Sequence, residues 1–204
     1  MYGNPDGTTF DEVHTNTTSS TIKTAIDNWY KTNIVDKGYS GYVSSAVGFC
    51  GDRTLTGGDG ISTSANSNFG ALGRHYSQTA IFTCPNKERD LYTTTDSSIG
   101  NKALTYPVGL ITYDELVFAG MDQRHINKLS WVYSHQHYWT MSPFLFYASS
   151  GAAREWNQNN SGFLYSWGNV TGSLGARPVI NLKSDVKITE GIGTAKDPFV
   201  VETN

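Results

Sequence analysis

The last third of the chain constrains the fold most, because after residue 127 its apolar and aromatic residues follow a period of two. This alternation is the pattern of half-buried β-strands. It predicts strands over 138–141, 152–157, 162–167, 176–182, 186–189 and 199–202. The turn residues Asn159, Asn160 and Ser161 separate the second and third of these strands and predict a hairpin. No helical pattern lies between the strands to serve as a parallel crossover, so we expect antiparallel pairing.

A helical period occurs only earlier in the chain. Ile22, Ile26 and Tyr30 are spaced by four residues, and Ser20, or Ser19 before it, can act as an N-cap. These features predict an amphipathic helix over 20–33 that ends before Gly38.

A second helix is predicted over 113–119 from its capping residues. Thr112 and Glu115 have the spacing of a capping box, and Gly120 stands where a left-handed C-terminal residue is needed. Two helices in the first two thirds and antiparallel strands in the last third indicate an α+β domain. We expect one domain over 1–204, belonging to a longer protein.

The region between the two helices is mostly polar and rich in glycine. Residues 38–73 predict a long loop, and neither a helical nor a strand pattern is present over 55–72. Short apolar runs predict strands over 80–84 and 104–111. We expect this half of the chain to support the strands that follow it.

Composition excludes several classes of partner. The 15 lysines and arginines are scattered and the net charge is −3, so the basic stripe of a nucleic-acid-binding protein is absent from the sequence. No apolar run is long enough to cross a bilayer, so we expect no membrane insertion. Cys50 and Cys84 are too few for a disulfide framework and lack zinc-site spacing, but they can form a single bridge in an oxidising compartment. The spacing alone leaves that pairing open.

Two clusters have weak catalytic or metal-binding interpretations. His135 and His137 share one face of an extended segment, but no cysteine or carboxylate nearby completes a metal site, and a surface turn is the better interpretation. Cys50 next to Arg53 has a cation that favours a thiolate, yet no histidine is close. We favour a structural cysteine, with Asp52 and Arg53 forming a salt bridge that holds a turn.

No other motif points to catalysis or to a cofactor. The loop over 57–68 contains Asp59, Asn66 and Asn68, which can bind calcium, but it lacks the ligand spacing of an EF-hand and a flexible loop is favoured. Asp114 and Glu115 are explained by the helix N-terminus, where negative charge is favourable. We therefore predict no catalytic residue, no metal and no cofactor.

The candidate ligand surface is the aromatic and asparagine-rich segment 144–169. Aromatic and arginine side chains are enriched at binding surfaces. The predicted ligand-binding residues are Phe144, Phe146, Tyr147, Arg154, Trp156, Asn157, Asn159, Asn160, Tyr165, Trp167 and Asn169. In the 162–167 strand, Phe163, Tyr165 and Trp167 share one face and Leu164 the other. The alternative is that the first of these faces is core.

Several phrases of the sequence together resemble a known family. They are the run over 104–120 (LTYPVGLITYDELVFAG), YWTMSP over 138–143, GARPVINLK over 175–183, Gly193-Thr194 and DPFVV over 197–201, with weaker similarity over 22–30 and 49–53 and at Cys84. The chain resembles bacterial and phage-associated exported domains of unassigned function. The order of features also resembles the C-type-lectin-like fold of formylglycine-generating enzymes and of the variable proteins of diversity-generating retroelements.

The resemblance implies two helices flanking a twisted antiparallel sheet, with ligand contacts just before the closing strand that contains Arg177. It implies a non-enzymatic binding module for a protein or glycan on another cell or surface, located at a bacterial surface or on a phage or pilus-like appendage. The alternatives are an oxidase of the formylglycine-generating type and a structural module of an adhesin. The oxidases use a cysteine pair late in the fold, whereas Cys50 and Cys84 both lie in the first half.

Overall fold

The computed structural model describes residues 2–4, 6–194 and 196–202, and it is a mixed α and β structure with mostly antiparallel sheets. The helices are α1 (Phe10–Val13), α2 (Thr21–Tyr30), α3 (Gly70–Ser77), α4 (Lys87–Asp90) and α5 (Tyr113–Phe118). The strands are β1 (Tyr2–Gly3), β2 (Thr18–Ser19), β3 (Phe49–Cys50), β4 (Leu55–Gly57), β5 (Ser67–Phe69), β6 (Leu91–Tyr92), β7 (Tyr138–Tyr147), β8 (Ala152–Gln158), β9 (Leu164–Asn169), β10 (Ile188–Glu190) and β11 (Val200–Val201). The α+β class is therefore confirmed.

The central sheet has five antiparallel strands in the order β4-β5-β7-β8-β9. Its longest strand, β7, continues through Pro143, and the register with β8 shifts on both sides of that residue. Proline has no N–H to donate to the ladder, which explains a local irregularity at this position. Three two-stranded sheets, β1–β2, β3–β6 and β10–β11, surround the central one.

Two apolar clusters occupy the space around the central sheet. The first joins β7, β8 and β9 to α3 and α5, and it includes Trp156 and Leu116. The second joins β7 to α2 and includes Met141 and Ile26. Because successive side chains of a strand point to opposite faces, β7 contributes to both clusters. The sheet is thereby held between α2 and the α3–α5 pair.

Both predicted helices are confirmed, and their caps explain why. The Ser20 side chain accepts a hydrogen bond from Lys23 N at 3.2 Å and starts α2, which continues as a wider turn over Lys31–Val35 and ends before Gly38. At α5, Thr112 Oγ1 accepts from Glu115 N at 3.1 Å, and the Glu115 carboxylate accepts from Thr112 N at 2.8 Å. This is the capping box that the sequence predicts.

The predicted hairpin is also confirmed. Asn159 Oδ1 accepts hydrogen bonds from Ser161 N at 3.0 Å and from Phe163 N at 2.9 Å, so one amide closes the turn between β8 and β9. Gly162 has φ +92°, a conformation that favours glycine. The turn chemistry read from the sequence therefore matches the structure.

Four other expectations about secondary structure are wrong. Residues 55–72 contain β4, β5 and the start of α3 instead of a continuous loop. Residues 80–84 form no strand, because the disulfide at Cys84 and a hydrogen bond from Ile81 N to Asp114 hold them in an irregular path. The segments 104–111 and 176–182 meet only through isolated bridges such as Gly109–Val179, since each contains a proline that interrupts a ladder.

The two cysteines, whose pairing the sequence left open, form a disulfide. Cys50 and Cys84 are bonded with their Cα atoms 5.5 Å apart, and both described cysteines are thus used. The bridge fixes β3 to the irregular segment that precedes α4.

The ion pairs differ from the expected local pair. Arg53 does not pair with Asp52: its Nε donates to Asp90 Oδ1 at 2.8 Å. Asp52 instead accepts from Arg74 Nη1 at 2.7 Å, and Arg74 also donates Nε and Nη2 to the two oxygens of Asp114, each at 2.7 Å. Both aspartates therefore bind one guanidinium, which joins α3 to the start of α5.

Candidate ligand-binding site

The residues predicted from the 144–169 segment do not form one surface. Three of them, Phe144, Trp156 and Asn157, are buried. The Trp156 ring lies 4.9 Å from the Phe144 ring and 4.5 Å from the Tyr113 ring, centroid to centroid, within the first apolar cluster. These three side chains support the sheet, and their burial removes them from any surface that a ligand can reach without opening the domain.

Four others belong to the end of the sheet where β7 ends and β8 begins: Phe146, Tyr147, Arg154 and Asn169. Phe146 lies opposite Ala153, so it points to the other face of the sheet from Arg154. Register pairs Arg154 with Asn169, and the Arg154 guanidinium lies 5.4 Å from the centre of the Tyr147 ring. Asn169 is exposed and accepts a hydrogen bond from Thr171 N at 3.1 Å, whereas the other three are partly buried. This end of the sheet offers a small polar patch.

Asn159, Asn160 and Tyr165 lie toward the opposite end of the sheet. Asn160 is exposed, and its Oδ1 lies 3.1 Å from His137 Nε2, which gives that histidine a partner within a surface turn. At about 3.3 Å per residue, Asn159 lies about 17 Å along the strand direction from Arg154, and Tyr165, which is opposite Asn157, lies about 10 Å along it. The side chain of Trp167 lies outside the described residues.

The two faces of β9 differ in burial. Leu164 is 1% exposed and belongs to the first apolar cluster, whereas Tyr165 is 39% exposed. The register explains this result, because Leu164 lies opposite Gln158 and Gln158 opposite Tyr138, whose side chain is in the same cluster. The alternative that Tyr165 lines the core is therefore wrong.

The most exposed aromatic surface comes from residues that the sequence did not single out. Phe82, Phe118 and Trp131 are 64%, 75% and 67% exposed and line one groove of about 590 Å³. The rings of Phe82 and Phe118 meet edge to face with centroids 4.7 Å apart. We call this the aromatic groove. The sequence contains one sign of the aromatic groove. Phe118 follows Leu116 by two residues, so it lies on the opposite side of α5 from that buried side chain.

The floor and rim of the aromatic groove come from the closing segment of the chain. Pro178, Val179 and Ile180 line it, and the Gly109–Val179 bridge holds their backbone. Arg177 lies at the rim: its Nη1 donates to Val132 O at 2.6 Å, and its guanidinium lies 5.5 Å from the centre of the Tyr138 ring. Through its bonds to these backbone carbonyls, Arg177 fixes the loop that carries Trp131.

A second cavity, of about 410 Å³, lies between the start of α2 and the face of the sheet that carries Trp139. Glu155, in the middle of the segment singled out from the sequence, lines this cavity. Burial raises the pKa of Glu155 to about 7. A carboxyl perturbed in this way within a cavity is a common property of functional sites.

A third cleft, of about 350 Å³, is lined by the Cys50–Cys84 disulfide together with Asp52, Arg74 and Asp114. Arg74 pairs with both Asp52 and Asp114, so these two carboxylates are already used. Across the described ranges, no three histidine, cysteine, aspartate or glutamate side chains come close enough to hold a metal ion. In the same residues no helix has the length and hydrophobicity needed to span a bilayer.

Comparisons of the chain with protein-family models, with curated proteins and with solved structures find no match. The functional proposal therefore rests on the geometry of the described residues.

Proposed function

We propose that this protein is a non-enzymatic recognition module that binds a protein or glycan ligand through the aromatic groove. The observation that carries this proposal is the exposure of Phe82, Phe118 and Trp131 on one groove. Exposed apolar patches are costly in water, and in soluble proteins contiguous ones mark interaction sites. Single exposed apolar residues are ordinary, but three exposed aromatic rings that line one groove are not.

The groove has the chemistry of a recognition site. Its rings are rigid and flat, so a ligand can stack on them with little loss of side-chain entropy. Arg177 and Glu115 at its border supply polar character beside the apolar floor. Trp, Phe and Arg at the centre of an interface usually contribute most of its binding energy.

The proposal also includes the family and the fold that the sequence resembles. A C-type-lectin-like domain that displays a ligand surface beside its closing segment is consistent with a central antiparallel sheet flanked by α2 and α5. The disulfide supports a location outside the cytoplasm, at a bacterial cell surface or on an appendage of a phage or pilus. The exposed residues Asn160, Tyr165 and Asn169 remain candidates for a second contact surface.

The test is a binding measurement with groove variants. Wild-type protein is applied to an array of glycans and bacterial surface proteins, and its captured ligand is titrated against Phe118→Ser and Trp131→Ser. Each substitution removes an exposed ring, so we expect a loss of about 1–2 kcal/mol, or roughly 5- to 30-fold in affinity, with unchanged stability.

Tyr76→Ser is the matched control, because Tyr76 is 77% exposed and lies outside the groove. It should bind as the wild type does. Groove variants that keep full affinity for the captured ligand would refute the proposal. Copper uptake that depends on both Cys50 and Cys84 would favour the oxidase alternative instead.

A further inference from the structure

The cavity between α2 and the central sheet is separate from the aromatic groove and has different lining residues. One wall is the start of α2, including Ile22, and the others are Leu110, Met141 and the indole of Trp139. The volume of about 410 Å³ suits a small organic molecule. The walls are largely apolar, and the ionisable group among the lining residues is Glu155.

Gly168 of β9 leaves the space that the Trp139 indole occupies in this wall. A methyl group added at Gly168 would collide with the Trp139 ring and with the Asn157 amide, so the absence of a side chain there lets the indole lie across the sheet. Trp139 pairs with Asn157 in register, and Glu155 lies two residues away on the same strand, opposite Gly168. The indole and the carboxyl are therefore fixed on one side of the sheet.

Charged side chains on the neighbouring elements are engaged elsewhere, and the positive charge of the N-terminal amino group lowers the pKa of Glu155 against the larger effect of burial. Lys23 and Asp27 of α2 form an ion pair with each other. Arg154, next to Glu155 on β8, lies over the Tyr147 ring. Among the residues that the structure describes, no lysine, arginine or histidine side chain forms an ion pair with Glu155.

We propose that this cavity binds a small amphipathic amine, whose ammonium group pairs with Glu155 and whose apolar body packs against Trp139, Ile22 and Met141. A carboxylate beside an aromatic ring attracts a cation through both charge and the ring face. An anion would be repelled by Glu155, and a purely apolar ligand would leave the carboxyl without a partner. This site does not depend on the aromatic groove, and it goes beyond the proposed function.

The test uses hexylammonium as the probe and 1-hexanol as its uncharged comparator, titrated into the full chain by calorimetry at pH 8 and pH 5.5. Glu155 is mostly ionised at pH 8 and mostly protonated at pH 5.5, because its pKa is raised to about 7. If only the carboxylate binds the probe, hexylammonium affinity should rise about 30-fold between the two pH values. The affinity for 1-hexanol should not change.

Two variants and one control locate the site. Glu155→Gln keeps the shape and removes the charge, so hexylammonium affinity at pH 8 should fall at least 10-fold and lose its pH dependence. Glu190→Gln removes an exposed carboxylate on β10 and should bind as the wild type does. Ala25→Phe fills the cavity from α2 and should abolish binding of both probes.

Equal affinities for hexylammonium and 1-hexanol would overturn the proposal, and so would an unchanged affinity in Glu155→Gln. If Glu155→Gln does not fold, the change in the Trp139 indole resonance on adding hexylammonium to the wild type decides instead. A probe that leaves that resonance unmoved at saturation binds elsewhere and refutes the site.

Discussion

Arg74 offers the sharpest test of how the first half of the chain is joined to α5. Its guanidinium donates to Asp52 and, through two nitrogens, to Asp114, and the side chains of these aspartates are 4% and 6% exposed. Arg74→Met keeps much of the length and apolar stem of the side chain but removes the charge. Two buried carboxylates then lose the cation that they share.

The burial of Asp52 and Asp114 determines how much stability the substitution should remove. Removing one partner of a buried ion pair leaves an uncompensated charge and costs about 3–5 kcal/mol. We therefore expect Arg74→Met to lower the free energy of unfolding by about 4 kcal/mol at pH 7. Replacing both aspartates by asparagine in the Arg74→Met background removes the uncompensated charges, so it should recover more than half of this loss.

Urea unfolding followed by circular dichroism measures these free energies. The matched control is Lys31→Met, because Lys31 and Asp36 form an ion pair at 2.9 Å with both side chains about half exposed. Exposed pairs contribute at most about 1 kcal/mol. A loss in Arg74→Met no larger than that in Lys31→Met would show that the network does not stabilise the fold.

Three further predictions concern the disulfide, the sheet and the cavity. Replacing Cys50 and Cys84 by alanine should cost about 4 kcal/mol in urea unfolding, because the bridge closes a loop of 34 residues, and dithiothreitol should then have no further effect. In the same assay, Leu164→Ala should lower the free energy of unfolding by about 2–5 kcal/mol and Tyr165→Ala by less than about 1 kcal/mol. Equal losses in the two variants would contradict the observed faces of β9. The folded chain retains the Glu155 proton up to about pH 7, whereas the unfolded chain releases it near pH 4.5, so this contribution to stability is lost as pH rises. In urea unfolding, the free energy of unfolding of the wild type should fall between pH 4.5 and 8 by at most about 3 kcal/mol more than that of Glu155→Gln. Equal changes with pH in the two proteins would contradict this prediction.

Elements that depend on local chemistry could be predicted from the sequence. Ser20 and Thr112 cap their helices through contacts within three residues, and Asn159 closes its turn through contacts within four. The information for these elements lies inside short windows, so a single sequence is enough to find them. The β8–β9 hairpin and the α+β class follow from them.

Elements that depend on distant partners could not be predicted from the sequence. Strands β4 and β5 are three residues long and exist because β5 pairs with β7, and no local periodicity marks them. The partner of Asp52 is Arg74 and not the adjacent Arg53, since the fold brings α3 close to it. Pairing preferences between neighbours in sequence say nothing about such contacts.

The candidate site was only partly predictable for the same reason. Aromatic density indicated a binding surface, but it could not separate Trp156, which is buried, from Tyr165, which is exposed. A register shift between β8 and β9 decides which face each residue occupies. The aromatic groove combines residues from four separate segments, and only the position of Phe118 on α5 signalled part of it.

The closing segment has a consequence for how the chain folds during synthesis. Its bridges Val43–Leu182 and Gly109–Val179 connect this segment to residues that lie far earlier in the chain. Contacts so distant in sequence slow folding, because the entropy of closing long loops is lost before the contacts form. We expect α2 and α5 to form early on the ribosome, while the second apolar cluster stays incomplete until residue 182 has emerged. A chain stalled before that point should expose its aromatic residues to chaperones.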